Sequence, residues 1–576
     1  DGSKILYSYE PLSGRLQSTT DEKGQVKTQA YNLDDTLAAL TYTNVQHATP
    51  NVAFFYDTDF NRLTRMEDGT GATVYSYHPY GAAPTVGAGR LASVDGPLAD
   101  DTVTYSYDEL GRVTSRAING VAQTMAYDAA GRVTTVTNAL GSFAYAYDGA
   151  TRRTTSMDYP NGQKTEYSYY PNAGDHRLQK ISNLKPDASP LSTFEYGYDA
   201  TGRILSWSQQ SESNSPKVLT LGYDNADQLT SAVAVQDAAT VKSHGCTYDP
   251  SGNRTKESVD GVAATFTYNP LNELVGTTKT LPATTYEWDA EQRLTAIVRG
   301  NNRSEFSYDG SGRRVRIVEK QNAAATSDKR LVWCGLAVCE ERDATGVNVQ
   351  KRFFDQGFNV PGGVGAGNYF YAKDHLGSIR DINDGSGATR CTYDYEPYGA
   401  RALLSGDVAA DFGFTGHYFH GPSGLHLAPF RAYDSGVGRW INRDPIGETG
   451  GVNVFLYCDN NPMMFVDPIG LITYTPNAGQ PVDQVTGDSL VCFERCVGTD
   501  VTVTGATEQG HSPGSAHGTG QACDIRKTGI GRGNAQRCFT QCYDQTTSYG
   551  QEEGNHYHFQ TRPGRGGATG FAPGVH

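Results

Sequence analysis

Basic charge is the first thing this chain lacks. Its 576 residues carry 48 Lys and Arg against 63 Asp and Glu, a formal charge of −15. That balance argues against broad binding to duplex nucleic acid, which depends on Lys and Arg neutralising phosphates. Long apolar runs are missing as well, and none approaches the ~20 residues of a membrane span. Met (5) and Trp (4) are scarce, while the charged fraction, 19%, is too low for a disordered chain. Cysteine is thin over most of the length: Cys246, Cys334, Cys339, Cys391 and Cys458 are scattered over the first 471 residues. By contrast Cys492, Cys496, Cys523, Cys538 and Cys542 crowd into the last 105. The change in density marks a boundary and points to a change in redox setting. The opening residues DGSKILYSYE have no signal-peptide character and read as starting inside a longer pattern.

What is present is Gly (66) and Tyr (36), a composition of many short strands joined by turns. A unit recurs through residues 1–320: YSYDELGRVTS from Tyr105, MAYDAAGRVTT from Met125, YGYDATGRILS from Tyr196, FSYDGSGRRVR from Phe306. Tyr107, Tyr127 and Tyr147 are spaced by strict steps of 20. The Tyr-x-Tyr alternation places aromatics on one face of a strand. Asp-x-x-Gly-Arg is a turn in which Gly takes positive φ and Asp accepts backbone N–H groups, and Arg-Val-Thr restarts a strand. Repeated hairpins of this kind predict a long, twisted antiparallel sheet. The tyrosines are expected to be core, and His375 in KDHLGS a turn residue.

The repeat, together with YFYAKDHLGSIRDINDGSG (from Tyr369), YDYEPYGAR (from Tyr393) and the run from His426 to Leu471 ending in VDPIGL, resembles the Rhs family of YD-repeat toxins and the C components of bacterial toxin complexes. The resemblance implies a mostly β protein, a spiralling antiparallel sheet forming a hollow shell (1–320). A core C-terminal region (321–471) would cut the chain between Leu471 and Ile472. It further implies an aspartyl self-protease in Asp444 and Asp467, each followed by Pro, with Arg443 in support. Two carboxylates sharing one proton can serve as base toward water and acid toward the amide. An immunity protein, and a secretion spike or chaperone bound by an absent N-terminal region, are the implied partners. The chain would be secreted and delivered to a target cell by a type VI or similar route.

After Leu471 the repeat stops. The remainder (472–576) reads as a small α+β domain: short helices in DSLVCFERCVG and GNAQRCFTQCYDQ, strands in DVTVTGATEQ and NHYHFQTR. Seven basic residues stand against nine acidic ones there, unlike the basic face usual in a nuclease. In SAHGTGQACD, His517 and Asp524 flank small residues that let a loop fold tightly. The HYH at 556–558 supplies a third ligand, and three protein ligands plus water is the catalytic zinc arrangement. The pattern Ser515, His517, Gly520, Ala522, Asp524, followed by His-x-His, resembles zinc D-Ala-D-Ala carboxypeptidases and hedgehog-like relatives. That likeness implies Zn2+ on His517, Asp524 and His558 with His556 stabilising the transition state. The alternative makes His556 the third ligand and Glu553 the base; Glu552 is a further candidate base. Peptidoglycan in the target periplasm is the implied substrate. The pairs Cys492/Cys496 and Cys538/Cys542 suit disulfides or a four-thiolate zinc site, and Cys523 reads as buried and inert. A cytosolic toxin, either a zinc protease or a nucleic-acid enzyme, and a non-enzymatic zinc module are the rival readings of the tail.

Overall fold

One turn of the repeat explains most of the architecture. At Asp309 the carboxylate Oδ1 accepts the backbone N–H groups of Ser311 (3.0 Å) and Arg313 (2.9 Å), and Oδ2 accepts Arg313 Nε (2.8 Å). The main chain closes the same loop, Gly312 N–H to Asp309 O and Asp309 N–H to Arg313 O, each at 3.0 Å. Gly312 lies at φ 83°, where a Cβ is costly. Copies without glycine place Asp227, Asn272 and Gln292 at this position with φ of 61°, 62° and 56°. Two of these three are residue types that tolerate the left-handed region. The register shifts at a fixed place beside the turn, between Ser307 and Tyr308 here and between Gly197 and Tyr198 in another copy.

Successive turns are tied together by the second tyrosine of each Tyr-x-Tyr pair. Its hydroxyl donates to a backbone carbonyl one hairpin upstream: Tyr77 to Leu63 (2.9 Å), Tyr198 to Leu178 (2.8 Å), Tyr308 to Leu294 (2.8 Å). Its ring covers the arginine of that upstream turn, with Arg62 at 4.4 Å from the Tyr77 centroid, Arg132 at 4.6 Å from Tyr147 and Arg293 at 5.0 Å from Tyr308. The first tyrosine of the pair is buried at Tyr105 and Tyr196, half-buried at Tyr75 and Tyr145, and exposed at Tyr7, so the expectation of a tyrosine core holds for part of the ladder. Burial pushes the phenols of Tyr77, Tyr107 and Tyr147 up to about 12; they stay protonated donors.

The structure, a computed structural model, describes residues 4–81, 85–445, 447 and 453–471, and in the tail the backbone of five strands. The chain is mostly β, in large antiparallel sheets. It divides into two compact units. The first comprises 1–126, 136–139 and 282–367. In it hairpins from Leu6–Tyr9 through Val113–Ile118 form one ladder, and those from Thr285–Trp288 through Gly357–Val360 form another. Val103, Tyr105 and Ile118 pack on Val332, Cys334 and Cys339, the last two joined as a disulfide.

The second unit comprises 127–135, 140–281 and 368–576. Its hairpins from Thr154–Asp158 to Leu274–Thr277 pack against the ladder ending in Arg401–Gly406. Phe143 lies against Phe370 (6.1 Å between rings), and the Tyr159 hydroxyl donates to Tyr371 O (3.0 Å). His375 sits in its turn as expected, its Nε2–H donating to Met463 O (3.0 Å). A small four-stranded sheet follows: Tyr418–His420, Leu425–Leu427, Ala432–Asp434 and Arg439–Trp440. Among the described residues no helix is long and apolar enough to cross a membrane.

The tail's described strands are Val503–Gly505, Ala522–Arg526, His556–Gln560, Tyr549–Glu553 and Gly570–Ala572, paired in that order. The strand expected around His556–Phe559 is present. The expected helices, His517, Ile472 and the cysteines Cys492, Cys496, Cys538 and Cys542 lie outside the described residues.

The Asp–Arg turns yield a stability test. The Asp289 side chain is 2% exposed and paired with Arg293, whereas that of Asp148, paired with Arg153, is 50% exposed. Asp289→Ala leaves a buried cation and should cost about 3 kcal/mol or more; Asp148→Ala should cost about 1 kcal/mol or less. Urea unfolding midpoints of the two variants check the difference.

Candidate active site

Three short segments converge behind the small sheet. The first, Ala428–Asp434, carries Arg431. Asn442 pins it, its Oδ1 accepting Ala432 N–H (2.9 Å) and its Nδ2 donating to Phe430 O (3.3 Å). The second segment runs from Trp440 to Asp444 and is held by Trp440 N–H to Phe455 O and Asp444 N–H to Val454 O, both 3.0 Å. The third, Asp467–Leu471, joins the first through Phe430 N–H to Ile469 O (3.2 Å). Tyr433, Trp440 and Tyr457, each fully buried, form the apolar wall, with ring centroids 4.1–5.7 Å apart.

The guanidinium of Arg431 lies between the two aspartates. Nη1 meets Asp444 Oδ2 at 2.7 Å and Nη2 meets Asp467 Oδ2 at 2.9 Å, and all three side chains are at most 4% exposed. Arg431 Nε donates to Gly470 O, and the face of the guanidinium lies 4.6 Å from the Trp440 ring. The sequence thus named both aspartates, and the fold brings them to one cation. It missed Arg431. Arg443, expected in the supporting role, is half-buried next to Asp444. The signal for Arg431 was weak: one arginine among apolar residues in LAPFRAYD, with nothing local to tell it from the arginines of the repeat.

Asp467 also closes the end of the chain segment on itself. Its Oδ1 accepts Gly470 N–H (2.9 Å) and Leu471 N–H (3.0 Å). Gly470 sits at φ +80°, and a Cβ there would lie 3.0 Å from the Arg431 backbone nitrogen. Leu471, the residue before the expected cut, is 1% exposed. The carboxyl of Asp467 is pushed up to about 6, first by burial and then by the charge of Asp444. Arg431 and the two N–H groups act in the opposite direction. Two buried carboxylates therefore meet one cation, and the Asp467 carboxyl is the one raised toward neutral pH.

In the tail, backbone register brings two of the expected zinc ligands together. Asp524 stands directly opposite His558 on the neighbouring antiparallel strand, and Arg526 opposite His556. On the other side Glu553 stands opposite His556. Opposed residues on paired strands have Cα atoms about 4.5–5.5 Å apart. The Glu553–His556 juxtaposition keeps the alternative ligand set open.

With this geometry in view, the likeness to known proteins has a place. Residues 127–164 match the RHS Repeat family. The chain is similar to double-stranded DNA deaminase toxin A of Burkholderia cenocepacia, 28% identical over 433 residues, 66% of this chain and 30% of the relative. It is similar to tRNA nuclease WapA of Bacillus subtilis, 26% identical over 50% of this chain and 11% of the relative. Toxin subunit YenC1 of Yersinia entomophaga is 26% identical over 54% of this chain and 41% of the relative. Among solved structures, the TcdB2–TccC3 complex superposes with a TM-score of 0.66 at 19% identity, over 81% of this chain and 28% of the other. This is therefore a protein with an RHS repeat and the large antiparallel β fold seen in that complex, similar in sequence to several toxin proteins. It spans less than half the length of each of these relatives.

The buried charge cluster has a pH signature. A carboxyl raised in the folded state contributes stability below its unfolded value near 4 and loses it as pH rises through about 6. Arg431→Met removes the charge that limits this loss and leaves two buried acids. The variant should fall short of the parent by about 3 kcal/mol or more at pH 7.5 and by clearly less at pH 5. Urea midpoints at the two pH values give the comparison.

Proposed function

We propose that residues 1–471 form a toxin-carrying β-shell that cuts its own chain after Leu471 and frees the segment 472–576 as a toxin. The carrying observation is the Asp444–Arg431–Asp467 cluster, with Leu471 N–H hydrogen-bonded to the Asp467 carboxylate. That bond keeps the carboxylate one residue from the peptide to be broken. In the proposed reaction the ionised partner of the dyad takes a proton from water. The resulting hydroxide adds to the Leu471 carbonyl carbon, and the protonated partner gives its proton to the Ile472 nitrogen as the C–N bond breaks. A carboxylate at Leu471 and an amine at Ile472 result. Arg431 keeps the pair from both becoming neutral, and burial keeps it from both becoming charged. Enclosure of the tail by a hollow shell, delivery to another cell and neutralisation by an immunity protein belong to this reading.

For the tail we favour a zinc peptidase acting on peptidoglycan peptides in the target periplasm. The support is the order Ser515, His517, Gly520, Ala522, Asp524 together with the pairing of Asp524 with His558. Bound zinc would polarise the scissile carbonyl and acidify a water. His517, Asp524 and His558 would hold it, and Glu553 or His556 would move the proton. A second reading, an enzyme acting on nucleic acid in the cytosol, is favoured by the names of the deaminase and nuclease relatives.

Two measurements separate these statements. On a denaturing gel the parent chain should give two bands, and Asp467→Asn or Asp444→Asn a single one at 62.2 kDa; two bands from either variant would contradict the self-cleavage. Expressed alone, 472–576 should harm bacteria only when exported to the periplasm, and His517→Ala or Asp524→Ala should abolish the effect. Harm from the unexported segment would favour the cytosolic enzyme.

A further inference from the structure

The carboxylate of Asp467 is held by three donors, but its own peptide is held by a fourth group that the dyad does not include. The carbonyl of Asp467 accepts a hydrogen bond from His417 Nε2–H at 2.8 Å. His417 is 2% exposed. Since Nε2 must carry the proton to donate to a carbonyl, Nδ1 of the neutral ring is an acceptor. It faces Thr415 Oγ1 at 3.2 Å, and Thr415 Oγ1 in turn lies 3.3 Å from the Tyr457 hydroxyl. Thr415 is fixed in a left-handed conformation (φ 51°), its N–H donating to Ser378 Oγ at 3.0 Å. The His417 ring lies 5.8 Å from Trp440, the same indole that backs the Arg431 guanidinium. Tyr457, Thr415 and His417 form a buried chain of polar groups that ends on the main chain of Asp467.

We infer that His417 is a positioning residue for the self-cleavage: its neutral Nε2–H form anchors the Asp467–Pro468 peptide so that the Asp467 carboxylate stays on the N–H groups of Gly470 and Leu471. The inference rests on the self-cleavage reading. The anchored carbonyl and the carboxylate belong to the same residue, and the turn from Asp467 to Leu471 is only five residues long. A loss of the anchor at one end frees rotation about the Asp467 backbone, and the carboxylate then leaves N–H donors that it meets at 2.9 and 3.0 Å. Misplacement on the scale of 1 Å is enough to cost roughly 100-fold in rate. Burial holds the imidazole down at about 4, so the donor form persists over the range in which Asp467 titrates. A protonated ring would have to donate from Nδ1 as well, turning the Thr415 hydroxyl away from it.

The test uses the full chain made in a cell-free system, with the disappearance of the uncut band timed at several pH values. His417→Ala should slow the cut tenfold or more and move the midpoint of its pH profile upward, because weakened N–H contacts no longer hold the Asp467 carboxyl down. His417→Gln, whose side-chain amide can donate to the same carbonyl, should restore most of the rate and the original midpoint. His417→Asn, too short to reach, should behave as Ala does. Near-UV circular dichroism reports whether each variant keeps the packed aromatic wall. If His417→Ala does not fold, the comparison of Gln with Asn decides. Equal rates and profiles in the parent and in Ala, or in Gln and Asn, would overturn the inference. An uncut parent, or an Asp467→Asn chain that is cut, would instead overturn the self-cleavage itself.

Discussion

The bond from a tyrosine hydroxyl to the carbonyl of the hairpin before it is what the rest of this structure is built on. A lone two-stranded hairpin is barely stable in water. Here each turn arginine is fixed by its own aspartate and covered by the next tyrosine, while that tyrosine's hydroxyl caps a carbonyl at the start of the arginine's own strand. Each unit is therefore completed by its neighbour, and stability passes along the chain as in other repeat proteins. The rule needs a tyrosine and a paired polar turn, Asp with Arg in most copies and Asp224 with Gln228 or Asn269 with Glu273 in others, which is why strands of such different sequence share one geometry.

The proposed cutting site departs from this rule in a consistent way. In the repeat a turn carboxylate meets a turn guanidinium, and where a second carboxylate joins, as Asp227 at Arg203, that second acid is exposed. At Arg431 two carboxylates meet one guanidinium inside an aromatic wall, and the surplus acid raises the affinity for a proton. The same pair of chemical groups that serves as a staple in the turns becomes, by burial and a second acid, a group able to exchange protons near neutral pH. The site is fixed by the side-chain amide of Asn442 and by the backbone carbonyls of Val454, Phe455 and Ile469.

The repeat was legible because its information is local: turn residues at fixed offsets, alternating aromatics and steps of 20. Asp444 and Asp467 were singled out through the family resemblance that their Asp-Pro motifs carry. Arg431 was not, since what distinguishes it is a partner 36 residues away in the chain, and neither was His417, whose carbonyl partner is 50 residues away. The division into compact units was hidden for the same reason. It follows from which ladder packs on which, as Val103 and Tyr105 on Val332 and Cys334, and no local pattern encodes that. In the tail the alternation of HYHF predicted a strand, and the register then set Asp524 against His558. Sequence spacing alone could bring these two residues into the same domain but not onto facing positions.

The central claim is that Asp444 and Asp467 hydrolyse the bond after Leu471. The most direct measurement is intact-mass analysis of the full chain synthesised in water enriched in heavy oxygen. Hydrolysis at the proposed bond predicts a long fragment ending at Leu471 that carries one labelled oxygen in its new carboxylate, and a short unlabelled fragment beginning at Ile472. Fragments with other ends, or a Leu471 terminus without label, would contradict it.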